Sequence, residues 1–219
     1  MAAMLSAAPA AAQTAPSAAE SSAYTGLHAA AQRGDLAALR QALAAKADAN
    51  ARDAHGRTPL HVATFAKQRD AIRVLAKGGA ELGALENDRY DAVTIAAVAD
   101  DEDTLRVLLE LGASAKLMTS RYDGTALIAA AHLGHDGVVR QLIQAGAPLD
   151  HVNNLHWTAL IESIVLGQGG PRHVASLRAL VEAGASTKLT DREGRTPLTL
   201  AQARGYAEMV RLLQQAGAR

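Results

Sequence analysis

Apolar residues recur along the chain in short stripes with the spacing of an α-helix. Leu105, Leu108 and Leu109 lie at positions i, i+3 and i+4, so they share one face of a helix. The same spacing returns at Val139, Leu142 and Ile143. Polar residues and glycines separate the stripes, and the pattern therefore predicts a series of amphipathic helices.

The stretch Asp53–Gly79 shows most clearly how one helical unit begins and ends. Gly56 suits a tight turn, because a residue without a Cβ adopts positive φ freely. Thr58 can cap the helix that follows, and Pro59 suits the first helical position, where a missing N–H costs nothing. Gly79 is typical of the residue that ends a second helix.

This unit recurs through the chain, so it is a repeat rather than a single motif. The apolar residue of the first helix recurs at spacings of 33, 33, 34, 33 and 38 residues, at Leu27, Leu60, Val93, Leu127, Leu160 and Leu198. The terminating Gly-Ala pair recurs at Gly79, Gly112, Gly146, Gly184 and Gly217, and Lys46 takes that place in the first copy.

The sequence T-P-L-H-x-A at Thr58–Ala63 and T-P-L at Thr196–Leu198 resembles the ankyrin repeat family. The resemblance covers about residues 24–219 and implies an all-α solenoid of about six repeats, each with a β-turn finger and two antiparallel helices. Small residues such as Ala63 would let neighbouring helices approach closely. We expect a domain over 23–219, with repeats at about 24–52, 53–85, 86–119, 120–152, 153–190 and 191–219, the first and last acting as caps.

Two segments depart from the repeat pattern. About five residues are inserted at 168–172, and we interpret them as a longer surface loop, with a binding loop as the alternative. The acidic run 100–103 is interpreted as the solvated start of a helix, where carboxylates favour the positive end of the dipole. The alternative, a Ca²⁺ site, lacks the glycine-turned loop with spaced ligands.

Residues 1–22 differ from the rest of the chain in being rich in Ala, Pro and Ser and lacking basic residues. The order Ala10-x-Ala12 resembles the cleavage site of a secretory signal peptide, although a basic start is missing. Export would place the protein in the periplasm or outside the cell. The alternatives are a disordered tail and a cytoplasmic location.

Charge and composition narrow the classes of partner and chemistry. Lys plus Arg and Asp plus Glu both number 22, which argues against nucleic acid as the main partner. No cysteine and no apolar run of membrane-spanning length is present. We expect no cofactor and no enzymatic activity, because the chain has neither a phosphate loop nor a nucleophile motif.

Eight histidines raise the possibility of a metal site. His28 and His61 fall on the histidine of the T-P-L-H motif, and the family resemblance implies a structural role for them, bonding between fingers. A zinc site needs about four converging ligands, and the spacing of the other histidines does not indicate such a set.

The function that we expect is protein binding through the concave face of fingers and first helices. The family resemblance points to residues in the fingers and late in the first helices, and aromatic and Arg side chains dominate interface hot spots. The predicted partner-binding residues are His55, Arg57, Phe65, Tyr90, Tyr122, His132, Leu133, Trp157, Val165, Leu166, Arg192 and Arg195. We expect a monomer that binds another protein. A periplasmic accessory or inhibitor protein that protects or regulates an enzyme, and a binder of a small ligand or metal, are the alternatives.

Overall fold

The computed structural model describes residues 13–218, which form thirteen α-helices. A short helix, α1 (Ala18–Ala23), precedes six antiparallel pairs. The pairs are α2 (Gly26–Arg33) with α3 (Leu36–Ala44), α4 (Pro59–Phe65) with α5 (Arg69–Lys77), α6 (Ala92–Val98) with α7 (Glu102–Glu110), α8 (Ala126–Leu133) with α9 (Asp136–Gln144), α10 (Ala159–Val165) with α11 (Pro171–Glu182), and α12 (Pro197–Ala203) with α13 (Ala207–Gln215). The predicted all-α solenoid is confirmed.

The core runs along the array as two parallel rows of helices. Each first helix packs against the next first helix, and each second helix packs against the next second helix. The recurring apolar residue of the first helix is buried in all six repeats. The small residue three positions later is buried as well, at Ala30, Ala63, Ala96, Ala130, Ser163 and Ala201. The register predicted from the sequence therefore matches the packing.

Four of the first helices are capped as predicted, by the side chains of Asp91, Thr125, Thr158 and Thr196, whereas Thr25 makes no such bond. The Asp91 side chain accepts a hydrogen bond from the backbone N–H of Thr94 at 2.8 Å, so this repeat keeps a cap without the usual threonine. Gly79 ends the second helix of its repeat with φ +92°, and Lys46 adopts φ +63° at the same place in the first repeat. A lysine in this left-handed conformation is less favourable than glycine.

The fingers are tight hairpins, and those of the third, fourth and fifth repeats bond through the backbone to the finger before them. Within the second-repeat finger, the Asp53 N–H donates to the Arg57 carbonyl at 3.0 Å. Gly56 has φ +73°, and a Cβ there would collide with Asn87 of the next finger. Three backbone hydrogen bonds of 2.9–3.0 Å then join successive fingers, from Asn87 to His55, from Ser120 to Arg89 and from Asn154 to Tyr122.

The two histidines of the T-P-L-H motif bridge neighbouring repeats, as the family resemblance implied. His28 Nε2 lies 2.9 Å from the Arg57 carbonyl oxygen. His61 Nδ1 accepts from the Thr58 N–H at 3.1 Å, which leaves Nε2 protonated to donate to the Tyr90 carbonyl at 3.2 Å. Both ring nitrogens of His61 are thus used, and burial lowers its pKa to about 4.

Residues 18–22, which the alternative of a disordered tail included, form most of helix α1. Ser17 and Glu20 form a capping box that starts α1, and the Glu20 carboxylate then binds Arg57 and His55 of the second-repeat finger. Hydrogen bonds from Ser17, followed by one from Arg57, hold the pKa of Glu20 at about 2. The first repeat has no finger of its own, and this segment contacts the next finger in its place. The predicted cleavage site at Ala10-x-Ala12 lies outside the described residues, and export stays a prediction.

The insertion at 168–172 forms a short loop followed by the start of a helix. Its last residues, Pro171 and Arg172, begin α11, which has 12 residues where the other second helices have nine. The Arg172 guanidinium binds both carboxylate oxygens of Asp100, at 2.8 and 3.0 Å, and its Nε binds Asp136 at 3.0 Å. The insertion therefore links the fifth repeat to the third as well as to the fourth.

The acidic run 100–103 lies at the start of a helix as interpreted, but its capping residue, Asp101, is buried rather than solvated. The Asp101 carboxylate accepts from the Thr104 N–H at 3.1 Å and from Arg69 at 3.2 Å. Thr104 Oγ1 also donates to Asp101, at 2.7 Å. These contacts cap α7 and connect it to the preceding repeat.

We predict that His61 makes the stability of the protein depend on pH. The pKa of the His61 ring falls from 6.5 in the unfolded chain to about 4 in the folded protein. The stability that the neutral ring contributes is therefore complete above pH 6.5 and is lost as the pH falls towards 4. Between pH 8 and 4 the wild type should lose roughly 3 kcal/mol relative to the His61→Gln variant, which cannot titrate. Urea unfolding followed by circular dichroism measures this difference. A constant difference between the two proteins across this pH range would contradict the prediction.

Candidate binding face

Five of the predicted residues lie at the ends of three first helices, one on α4 and four on the adjacent α8 and α10. Phe65, Leu133 and Val165 are the last residues of α4, α8 and α10, and His132 and Leu166 are their immediate neighbours in sequence. Leu133 is exposed, at 40%, and the other four are partly exposed. We call these five residues the groove positions.

The predicted finger residues differ in how far they reach solvent. Arg192 and Arg195 are exposed, and Arg192 donates to the Asn154 carbonyl of the preceding finger. His55 is exposed, with its Nε2 2.8 Å from Glu20. Tyr90 and Tyr122 are partly buried, and their backbone carbonyls accept hydrogen bonds from the neighbouring repeats.

The prediction that Arg57 is displayed to a partner is wrong. Arg57 is 2% exposed, because its guanidinium is held between Asp53 at 2.7 Å and Glu20 of the N-terminal segment. Arg195 has the equivalent position in the sixth repeat and the same pairing to Asp191, yet its side chain is 49% exposed. The difference comes from the segment that covers Arg57.

Trp157 lies at the boundary between the hydrophobic core and the surface. It precedes the capping Thr158, is partly buried, and packs against the hydrophobic core. Its backbone closes the finger hairpin, accepting from the Asn153 N–H at 3.0 Å. The ring therefore contributes to packing between repeats, and its role in binding stays a prediction.

Glu162 is a feature of this face that the sequence analysis missed. It lies in α10 beneath the groove positions and is 5% exposed. Its Oε1 accepts from Asn153 Nδ2 at 2.7 Å, and its Oε2 lies 3.6 Å from His132 Nδ1. The first contact is a hydrogen bond, whereas the second is too long for one.

The surroundings of Glu162 are poor in positive charge. Burial raises its pKa to about 7, against the lowering effect of the Asn153 amide. Burial, together with the neighbouring His173 and His135, lowers the pKa of His132, so that ring is a weak source of positive charge. A buried carboxylate without a full counter-charge carries a large desolvation cost.

The described residues offer no other site with clear chemistry. Among residues 13–218, no three His, Cys, Asp or Glu side chains are grouped so that they could hold a metal ion. None of the helices in that part of the chain is long and apolar enough to cross a bilayer.

Comparisons with family models and known proteins agree with this architecture. The model of three ankyrin repeats matches residues 5–86, 27–119 and 93–191, and the model of a single ankyrin repeat matches residues 193–219. YahD, an ankyrin repeat protein of Escherichia coli (strain K12), is 41% identical over 100 residues, which are 45% of this chain and 50% of YahD. The match thus spans about half the length of that relative.

Two solved structures share the fold over most of the chain. An ankyrin repeat domain of Acinetobacter baumannii AYE is 42% identical with a TM-score of 0.83, covering 88% of this chain and 98% of that domain. The ankyrin repeat domain of Bcl-3, a member of the IκB protein family, is 26% identical with a TM-score of 0.79, covering 90% of this chain and 88% of that domain.

We predict that Glu162→Gln stabilises the protein at high pH. The pKa of Glu162 rises from 4.5 to about 7 on folding, so the carboxylate lowers stability progressively as pH rises from 4.5 to 7. The variant should gain up to roughly 3 kcal/mol over the wild type above pH 7 and little near pH 4.5. Thermal unfolding across this range tests the difference, with Glu182→Gln on the exposed end of α11 as control. An equal gain at both ends of the range would exclude titration of Glu162 as the cause.

Proposed function

Because the chain belongs to the ankyrin repeat family, we propose that it is a scaffold that binds another protein through its fingers and groove positions. Repeat proteins of this kind build extended binding surfaces from side chains displayed at equivalent positions of successive units. The proposed mechanism is recognition by shape and side-chain chemistry on a rigid array, without a covalent step. The partner is determined by the side chains at the binding site and not by the fold.

The observation that carries this proposal is the exposure of apolar residues at the groove positions. Leu133 is one of the most exposed large apolar side chains of the described chain, and Val165 and Leu166 are partly exposed at the end of the neighbouring first helix, α10. Phe65 is partly exposed at the end of α4, two repeats before α8. Apolar side chains grouped at the surface and rimmed by polar residues are typical of protein interaction sites. The exposed arginines Arg192 and Arg195 in the last finger could supply part of that rim.

Rigidity supports the same proposal. The finger backbones are bonded to one another, and the first helices beneath them are packed through buried small residues. A surface already held in its binding conformation loses little conformational entropy when a partner binds. The face is therefore suited to recognising a folded partner or a peptide that itself becomes ordered.

We predict that Leu133→Asp abolishes partner binding, whereas Gln144→Asp does not. Both substitutions put a carboxylate on the last residue of a helix in the same repeat, so their effects on helix stability should be similar. Only the first lies at a groove position. Affinity capture from extracts of the source cells, with quantitative mass spectrometry, identifies the partner, and direct titration should show at least about a tenfold loss for Leu133→Asp.

Equal binding of that partner by the wild type and both variants would contradict the proposed face. Circular dichroism of the three proteins serves as the control for folding.

A further inference from the structure

Glu162 interrupts a row of apolar residues. It lies four residues after Thr158, and the equivalent residue of the other five repeats is apolar. Those residues are Ala29, Val62, Ile95, Ala129 and Leu200. An acidic side chain at a buried apolar position lowers stability unless it is paired, so the exception in this repeat calls for a physical explanation.

The finger of the same repeat holds the Glu162 carboxylate in one orientation. Asn153 Oδ1 accepts from the backbone N–H groups of Leu155 and Trp157, both at 3.0 Å, so its Nδ2 must face Glu162. In the second repeat the equivalent residue is Asp53, whose second oxygen pairs with Arg57 instead. At the position where the second repeat has Asp53, the fifth repeat thus has the neutral amide of Asn153, which donates to Glu162. An aspartate there would repel the Glu162 carboxylate.

The second oxygen of Glu162 lies towards the groove positions. Oε2 is 3.6 Å from His132 Nδ1, and His132 is partly exposed late in α8. His132 also accepts from His173 Nε2 through its backbone carbonyl at 3.0 Å, which ties this end of α8 to the start of α11. The carboxylate is therefore oriented and largely desolvated, and it lies directly beneath a side chain of the binding face.

The groove around it suits the aliphatic part of a basic side chain. Leu133 follows His132 at the end of α8, and Val165 and Leu166 follow Glu162 at the end of α10, which packs against α8. All three apolar residues are exposed or partly exposed. Lysine and arginine bury their methylene chains along apolar surface while their charged ends seek a polar partner. A cation that reached Glu162 would supply the counter-charge that the described residues of this chain do not provide.

We propose that Glu162 forms the floor of a subsite that takes one Lys or Arg side chain of the protein partner. This inference rests on the proposed function, because it assigns a chemistry to one position of the same binding face. A metal ion is a poorer occupant, since Glu162 and His132 supply only two of the roughly four ligands of a zinc site. The partner is thus expected to present a basic residue flanked by apolar ones.

Selection of peptides followed by a double-mutant cycle tests this subsite with peptides in place of the natural partner. Random linear peptides displayed on phage are selected against the folded full chain, and those that lose binding to the neutral Leu133→Asn variant are kept as groove-directed. In these peptides we expect a shared Lys or Arg. Glu162→Gln should weaken each of them by about tenfold or more, and Glu182→Gln should not.

The cycle then combines Glu162→Gln with replacement of the peptide's basic residue by norleucine. Each change alone should cost the same factor, and the two together should cost little more than either one, because they remove the same contact. Groove-directed peptides with independent, additive losses would overturn the subsite and leave the protein-binding function standing. Selection that yields no groove-directed peptide would also overturn the subsite, whereas the proposed function fails only if the captured partner binds Leu133→Asp as well as it binds the wild type.

Discussion

The close stacking of successive first helices is the constraint on which the rest of the structure depends. A buried Ala or Ser three residues after the recurring apolar position of each repeat lets the helices approach one another. That spacing brings the fingers within hydrogen-bonding distance, so that Asn87, Ser120 and Asn154 donate backbone N–H groups to the preceding fingers. Backbone N–H and C=O groups that are removed from water need hydrogen-bond partners, and in these fingers the adjacent repeat supplies them. The fingers of the binding face are therefore held rigid by the close packing of the first helices beneath them.

Departures from the repeat pattern are compensated locally by charge. The first repeat lacks a finger, and Glu20 of the N-terminal segment contacts Arg57 in its place. The longer α11 places Arg172 on Asp100, two repeats away. The Arg172 pair is largely exposed, and exposed ion pairs contribute little individually, about 0–1 kcal/mol, whereas the Arg57 guanidinium is buried. Their effect is to fix the positions of the irregular segments relative to the regular array. Glu162 differs from them, since its orienting partner, Asn153, is neutral.

How far the sequence predicts this structure depends on how local each feature is. The helix pairs, most of their caps and the bridging His28 and His61 depend on motifs within a repeat or between adjacent repeats, and these were predicted correctly. Arg57 was misplaced because its exposure is decided by Glu20, which lies 37 residues earlier in a segment with no repeat signature. The extra turn of α11 was missed because Pro171 can begin a helix as readily as it can end a loop. Glu162 could have been found by aligning the repeats position by position, but its pairing with Asn153 required the coordinates.

Native-state hydrogen exchange, resolved residue by residue by NMR, tests most directly the claim that stacking holds the fingers in one rigid face. The account predicts that the amides of Asn87, Ser120 and Asn154 exchange about as slowly as the buried amides of the first helices, since all open only when repeats separate. Exchange of these three amides at the rate of unprotected loop amides, with the helices still protected, would show that the fingers move independently and would contradict the account.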